Sequence, residues 1–401
     1  MPAGLDKTPS ANRTHIVFLG AMNSGKSTLV NAFANQQIAI VSDVPGTTTD
    51  AVERAMEIHG VGPCVLVDTA GFDDKGELGE LRVNATRKRA MEADVVVLLL
   101  TKDTLDTCKR WHDEFEKRNI PVIPVVNKIE EKEQKAFFET IEKERFGDVP
   151  VISTDAQKGI GVNDLKKAVV DAVATHKIAR SITGDLVGKE DVVLLVMPQD
   201  KQAPEGRLIL PQVQTIRELL DKTCVVISTT MDSFEAGLMA LSKPPKLIIT
   251  DSQVFDEVYQ RKPKESLLTS FSVLFAAYKG DIEYYVESVK AIAGLTEQSK
   301  VLIAECCTHA PLEEDIGRVK IPAMLRKKVG SGLTVEVVGG RDFPDDLSDY
   351  DLIIQCGACM FGRNYVMARL SQAKEQKVPM TNYGITIAYM RGILDKIEIC
   401  A

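Results

Sequence analysis

The stretch "GAMNSGKS", Gly20 to Ser27, sets Gly20, Gly25, Lys26 and Ser27 in the spacing G-x-x-x-x-G-K-S. Glycines let backbone N–H groups converge on phosphate oxygens, a helix start adds positive potential, and a lysine supplies a mobile point charge. Ser27 offers a hydroxyl to Mg²⁺, and Asn23, Ser24 and Thr28 line the same cradle. Further on, "VDTAG" puts Asp68 at the end of an apolar run, where a carboxylate can hold the metal, and Gly71 can turn an N–H toward a γ-phosphate. "PGTTTD" supplies the Thr47 and Thr48 hydroxyls between them. "NKIE" brings Asn127, Lys128 and Glu130, and "STDAQKGIG" brings Ser153 and Thr154, each after an apolar run where nucleotide hydrolases read the base. The chemistry these residues suit is Mg²⁺-dependent hydrolysis of a nucleoside triphosphate.

A second group lies in the last quarter of the chain. "AECCTH" carries Cys306, Cys307 and His309 behind the apolar run "KVLIA", and "IIQCGACMFG" carries Cys356 and Cys359 behind another. If the two runs are parallel strands of one sheet, their ends bring three or four sulfurs together. Thiolates on glycine-rich turns suit soft metals, either an iron–sulfur cluster or Zn²⁺. A thioredoxin-like disulfide of Cys356 with Cys359 is a third reading, and it leaves Cys307 and His309 without a role. Inert buried thiols are the fourth.

These residues need strands that stop at the right places. Residues 14–177 alternate apolar runs ("HIVFLG", "GPCVLVDTAG", "ADVVVLLLTK", "IPVIPVVNKI", "VPVIST") with helical spacing ("LGELRVNATRKRAMEA", "VNDLKKAVVDAVATHK"), which predicts a mostly parallel sheet with helices on both faces. Every nucleotide motif then falls at the carboxyl end of a strand, the edge where such sheets bind ligands. The strictly alternating "AVERAMEIHG" predicts an edge strand covered on one face. Residues 1–13 read as a flexible tail, 177–191 as a polar linker, 185–265 as a small α/β domain and 270–401 as a third α/β unit holding the cysteine pairs. The expected fold class is α/β throughout: a P-loop domain followed by two smaller α/β domains, the last with a parallel sheet.

A net charge of −8 over 401 residues opposes a protein that lives on nucleic-acid backbones. The longest apolar runs are less than half of a membrane span. The opening residues have no apolar signal region, so the expectation is a cytoplasmic chain with no membrane partner. Eight cysteines in that compartment do not form a disulfide framework.

The ordered motifs of residues 14–177 resemble the translation-factor-like GTPases, and among them the TrmE–Era group. The resemblance implies GTP/GDP as nucleotide and Lys26 and Ser27 as phosphate and Mg²⁺ ligands. It also implies Thr48 as the switch threonine (Thr47 as second choice), Asp68 and Gly71 as the third motif, and Asn23 as a K⁺ ligand. Phe72 stands where Ras-like enzymes carry a water-orienting glutamine, so hydrolysis is expected to be slow and to lean on a cation or a partner. Glu130 stands where the family has aspartate, so guanine preference is expected at reduced affinity.

The order of the three units with C-x-H and C-x-x-C resembles the HydF family of [FeFe]-hydrogenase maturation GTPases over essentially the whole chain. "GRLILPQVQ", "GRVKIP", "CGACMF" and "TNYGI" strengthen the match. That resemblance implies a [4Fe-4S] cluster at Cys307, Cys356 and Cys359 and a homodimer formed through the middle domain. It further implies a scaffold or carrier role for the hydrogenase's diiron subcluster, with the radical-SAM maturases HydE and HydG and the apo-hydrogenase as partners. Many members have histidine before the C-x-x-C, where this chain has Gln355, and Cys306 is an additional thiol. The fourth iron position is left to His309, Glu313, Glu314, Cys306 or water. The alternative is a tRNA-modification or ribosome-assembly GTPase with a structural zinc domain, which the acidic charge and the lack of a second P-loop in the sequence oppose.

Overall fold

The computed structural model describes residues 10–35, 42–44, 52–74, 77–127, 137–141, 146, 150–176, 180–198, 208–306, 315–340 and 342–400. Two compact units divide the chain, residues 1–178 and 179–401.

The first unit is built on a seven-stranded sheet. Its strands are β1 (Thr14–Gly20), β2 (Ser42–Val44), β3 (Val52–Ile58), β4 (Gly62–Asp68), β5 (Val95–Leu99), β6 (Val122–Asn127) and β7 (Ile152–Thr154), in the order β2-β3-β4-β1-β5-β6-β7. From β4 to β7 the pairing is parallel. Parallel strands are covered on both faces, which is why β1 and β5 read as unbroken apolar runs rather than alternating ones. The register sets Phe18 beside Asp68, Gly20 beside Leu99 and Asn127 beside Thr154, so β1, β4, β6 and β7 all end at one edge. Helix Lys26–Asn35 covers the sheet through Leu29, Val30 and Phe33, with Phe33 edge-on to Phe18 at 5.6 Å. The alternating segment is β3, antiparallel to β4 as a half-covered strand should be. It is the penultimate strand rather than the edge, because Ser42–Val44 pairs along its outer side.

The second unit holds two four-stranded sheets, parallel throughout. One runs β11-β10-β8-β9, from β8 (Val192–Val196), β9 (Val225–Thr229), β10 (Leu247–Thr250) and β11 (Leu267–Ser270). The other runs β13-β12-β14-β15, from β12 (Lys300–Ala304), β13 (Thr334–Val338), β14 (Leu352–Gln355) and β15 (Met380–Asn382). A single hydrophobic core joins them, with Leu194, Ile248 and Leu268 in the same cluster as Val301, Ile303 and Ile354. Helix Phe271–Lys279 leaves β11 directly: the Ser270 side chain caps it by accepting from Val273 N–H, and Gly280 ends it. Cys400, isolated in sequence, belongs to a buried cluster with Ile182 and Val187, and the Glu398 N–H donates to Leu268 O at 2.8 Å. Among the described residues no helix is long and apolar enough to cross a membrane.

Candidate nucleotide site and thiol turn

The phosphate loop is shaped by backbone that most residues resist. Gly25 has φ +90° and Asn23 φ +58°, and a Cβ on Gly25 would collide with Asn127 Nδ2. A Cβ on Gly20 would sit 2.9 Å from Leu99 Cβ, so the loop lies tight against the end of β5. Lys26 is folded over this loop, its Nζ donating to Ala21 O at 2.7 Å and Gly20 O at 3.1 Å. Ser24 Oγ donates to Ala21 O at 2.8 Å. Ser27 and Thr28 are exposed in the first helical turn.

Asp68, at the end of β4, accepts a hydrogen bond from the Ser27 hydroxyl. Its Oδ1 is buried with no hydrogen-bond partner among the described residues. Burial pushes the Asp68 carboxyl up, against the pull of Ser27, Lys26 and Arg54. Burial pulls the Lys26 ammonium down, opposed by Asp68 and Asp73. A phosphate on Lys26 and a cation on Asp68 would reverse both shifts. An orphaned carboxylate oxygen beside a hydroxyl is the donor set of a hard divalent ion, so these residues fit Mg²⁺.

Gly71 is buried where a Cβ would stand 2.6 Å from Met22 N, so only glycine lets this segment touch the phosphate loop. Two residues on, Asp73 Oδ1 accepts from the Met22 N–H at 2.6 Å. Phe72 is buried and faces Trp111 at 6.5 Å, which in turn stacks on Phe115. On the base side Asn127 is the bridge. Its Oδ1 accepts from Thr154 Oγ1 at 3.2 Å and Ala156 N at 3.1 Å, and its Nδ2 donates to Ser24 O at 3.5 Å. Ser153 is exposed next to it. The structure therefore brings Gly20, Asn23, Ser24, Gly25, Lys26, Ser27, Thr28, Asp68, Gly71, Asn127, Ser153 and Thr154 to one sheet edge. Thr47, Thr48, Lys128 and Glu130 lie outside the described residues.

In the second unit β12 and β14 are parallel neighbours, with Ala304 beside Gln355, so the two cysteine segments leave the same edge. Cys356 Sγ accepts from Cys306 N at 3.1 Å and Ala358 N at 3.4 Å. The Cys306 thiol hydrogen-bonds to Cys356 and pulls the Cys356 thiol below its ordinary value, while burial pushes Cys306 well up. Cys306 faces inward, its Sγ accepting from Gln355 Nε2 at 2.9 Å. Arg369 Nη1 donates to Gln355 Oε1 at 3.2 Å, and its guanidinium lies over Tyr365 and Phe343 at 4.5 and 4.7 Å. Cys356 and Cys359 are half-buried. Cys307, His309, Glu313 and Glu314 lie outside the described residues. A thiol with a lowered pKa on a turn that offers N–H donors to sulfur fits thiolate ligation of iron.

Three contributors carry no signal in the linear motifs. Asp73 comes after the third nucleotide motif, and Arg369 sits within a helix of mixed pattern. Lys279 ends an apolar helix and is buried against the thiol turn.

Comparison with known proteins matches residues 15–128 to a family described as 50S ribosome-binding GTPase. Residues 182–280 match the hydrogen maturase F dimerization domain, and residues 283–398 match the hydrogen maturase F tetramerization domain. Among curated proteins, the tRNA modification GTPase MnmE of Bacillus subtilis (strain 168) is 32% identical over 196 residues, covering 48% of this chain and 41% of that protein. GTPase Der of Campylobacter fetus is 31% identical over 175 residues, covering 42% of this chain and 36% of that protein. The chain spans less than half the length of these curated relatives. Among solved structures, a single-residue variant of Era from Aquifex aeolicus bound to GDP and AlF4⁻ is 18% identical with a TM-score of 0.33, covering 54% of this chain and 92% of that one.

Proposed function

The chain belongs to the hydrogen maturase F family, with a TrmE/Era-type GTPase domain at its start, and from that premise we propose that it is a GTP-hydrolysing scaffold for [FeFe]-hydrogenase maturation. It holds a [4Fe-4S] cluster at the thiol turn and assembles or delivers the diiron subcluster to the apo-hydrogenase. The observation that carries this reading is the pairing, in one chain, of a phosphate cradle beside an orphaned Asp68 oxygen with thiols at the shared edge of β12 and β14.

At the first site Lys26 and the loop amides bind the phosphates, Ser27, Asp68 and Thr48 hold Mg²⁺, and Gly71 directs its N–H to the γ-phosphate. Asn127, Lys128 and Glu130 read guanine, with Ser153 and Thr154 behind them. Phe72, buried beside Trp111, has no group to orient water. Hydrolysis therefore leans on K⁺ at Asn23, which has φ +58° and is exposed at the loop. At the second site Cys307, Cys356 and Cys359 are the thiolate ligands, and the fourth position falls to His309, Glu313, Glu314 or water. Bound there, the cluster supplies an iron with one replaceable ligand, which suits handing on the diiron cargo. Cys306 stays out of this set, because its sulfur is committed to Cys356 and Gln355.

The proposed partners are HydE and HydG as suppliers, the apo-hydrogenase as acceptor and a second copy of the chain, all in the cytoplasm. The dimer reading is supported by β9, an edge strand with Val225 half exposed, and by exposed Leu220 in the preceding helix.

Anaerobic reconstitution with iron and sulfide tests the cluster by visible absorption and electron paramagnetic resonance. Serine at Cys307, Cys356 or Cys359 is expected to lose most of the iron, and Cys306→Ser to keep it. Stoichiometric zinc without iron would replace this reading by a GTPase with a zinc domain. For the nucleotide, Mg²⁺-dependent turnover faster in K⁺ than in Na⁺ is expected, and equal turnover of ATP and GTP would show that Glu130 does not read guanine.

A further inference from the structure

The turn from Cys356 to Phe361 closes two hydrogen bonds of its own, Ala358 N–H to Cys356 Sγ at 3.4 Å and Phe361 N–H to Ala358 O at 3.1 Å. Ala358 has φ +48°, a left-handed conformation that a residue with a Cβ resists. Further support for the turn comes from another part of the chain. Lys279 is the last residue of helix Phe271–Lys279 and is only 4% exposed. Its Nζ donates to Ala358 O at 2.8 Å, Phe361 O at 2.9 Å and Cys359 O at 3.4 Å. Arg363 Nη1 donates to Lys279 O at 3.2 Å and closes the contact from the other side of the turn.

Three carbonyls aimed at one ammonium fix three peptide planes. In a trans peptide the N–H points opposite to the C=O, so the N–H groups of Cys359, Met360 and Gly362 point away from Lys279. A buried cation and oriented amides are two of the means by which a protein sets the potential of a thiolate-bound cluster.

We propose that Lys279 is the positioning residue of the thiol turn, holding Cys356 and Cys359 in ligating geometry and offsetting part of the negative charge of the iron–sulfur group they bind. The role rests on the cluster reading above. It places the control of that site on the helix after β11, outside the cysteine motifs.

The test uses the full chain, wild type, K279M and K279R, reconstituted anaerobically with iron and sulfide. Three quantities are read: iron retained against a chelator, the cluster's reduction potential, and amide hydrogen exchange of residues 356–362 in cluster-free protein. K279M is expected to bind the cluster roughly 10–100-fold more weakly, to shift any bound cluster to a more negative potential, and to exchange faster across the turn. K279R, which keeps the charge, is expected to move the potential less than K279M does. A folded K279M that matches wild type in iron, potential and exchange overturns the proposal. If K279M does not fold, K279R decides, because a planar guanidinium cannot present one nitrogen to three converging carbonyls as the ammonium does: faster exchange supports the proposal and wild-type exchange overturns it. Wild type that takes up no iron sinks the cluster reading, and the exchange arm still judges the positioning role.

Discussion

Replacing Asp73 by alanine is expected to tighten nucleotide binding, although the change removes a group from the phosphate site. In the structure Asp73 Oδ1 accepts the Met22 N–H at 2.6 Å, and its charge also acts on Lys26. Met22 is part of the phosphate loop, whose amides are the groups a triphosphate needs. A carboxylate on that amide and a phosphate on that loop repel each other, so nucleotide must first displace Asp73. The free protein is therefore only partly binding-competent, and the apparent affinity falls by the competent fraction. A charge-assisted hydrogen bond contributes about 1.5–3 kcal/mol when shielded, but Asp73 is exposed, which reduces the figure to about 1 kcal/mol. Removing it corresponds to roughly 5-fold tighter GTP and GDP binding. Asparagine, an uncharged acceptor, should give a smaller gain. Equilibrium titration with fluorescent GTP and GDP analogues measures this, and the gain should shrink as salt rises, because the contact is exposed. Asp74→Asn is the control, since Asp74 pairs with Arg82 at 3.3 Å and does not touch the loop. Unchanged affinity in Asp73→Ala would refute the competition, and weaker affinity would show that Asp73 serves the bound state instead.

Gly25→Ala combines a φ of +90° with a collision against Asn127 Nδ2, and should weaken guanine-nucleotide binding by at least ~10-fold in the same titration. The double change L220E/V225E puts two carboxylates on side chains 57% and 50% exposed beside the β9 edge. Light scattering at micromolar concentration should show a monomer with an unchanged melting temperature. Asp94 is pushed up to about 6 by burial, against the His15 N–H that it accepts. A carboxyl raised in the folded state binds more protons there than when unfolded, so folding is most favoured below about pH 4 and loses stability as pH rises to about 6. Asp94→Asn keeps the acceptor without the charge. It should flatten that slope in denaturant titrations and stabilise the first unit by about 1–3 kcal/mol at neutral pH.

The parts legible in sequence are those that end strands. An apolar run tells where a buried strand stops, and parallel pairing puts all the stops on one edge, so the motifs alone group Gly20, Asp68, Asn127 and Thr154. The same logic places Cys306 and Cys356 just past the ends of neighbouring strands. What no periodicity contains is a side chain that arrives from elsewhere. A lysine closing an apolar helix reads as a solvated charge favourable to the helix dipole, yet Lys279 is buried beneath the thiol turn. Asp73 reads as a polar residue of a loop, and its contact with Met22 depends on the path the chain takes after Gly71.

Gln355 shows how a departure from the family's motif acquires meaning from its surroundings. A glutamine directly before the C-x-x-C reads in sequence as a poor iron ligand. In the structure residue 355 is the last of β14, only 1% exposed, on the side of the strand that faces Arg369. Its Nε2 donates to Cys306 Sγ and its Oε1 accepts from Arg369, so turning toward a metal would break both hydrogen bonds. Arg369 in turn is held between Tyr365 and Phe343 and donates to Gly340 O at 2.5 Å. A side chain fixed at both of its polar ends, against a sulfur that is itself hydrogen-bonded to Cys356, supports the thiol turn. Position 355 thereby helps to hold the Cys306 sulfur in the interior, where it is only 2% exposed.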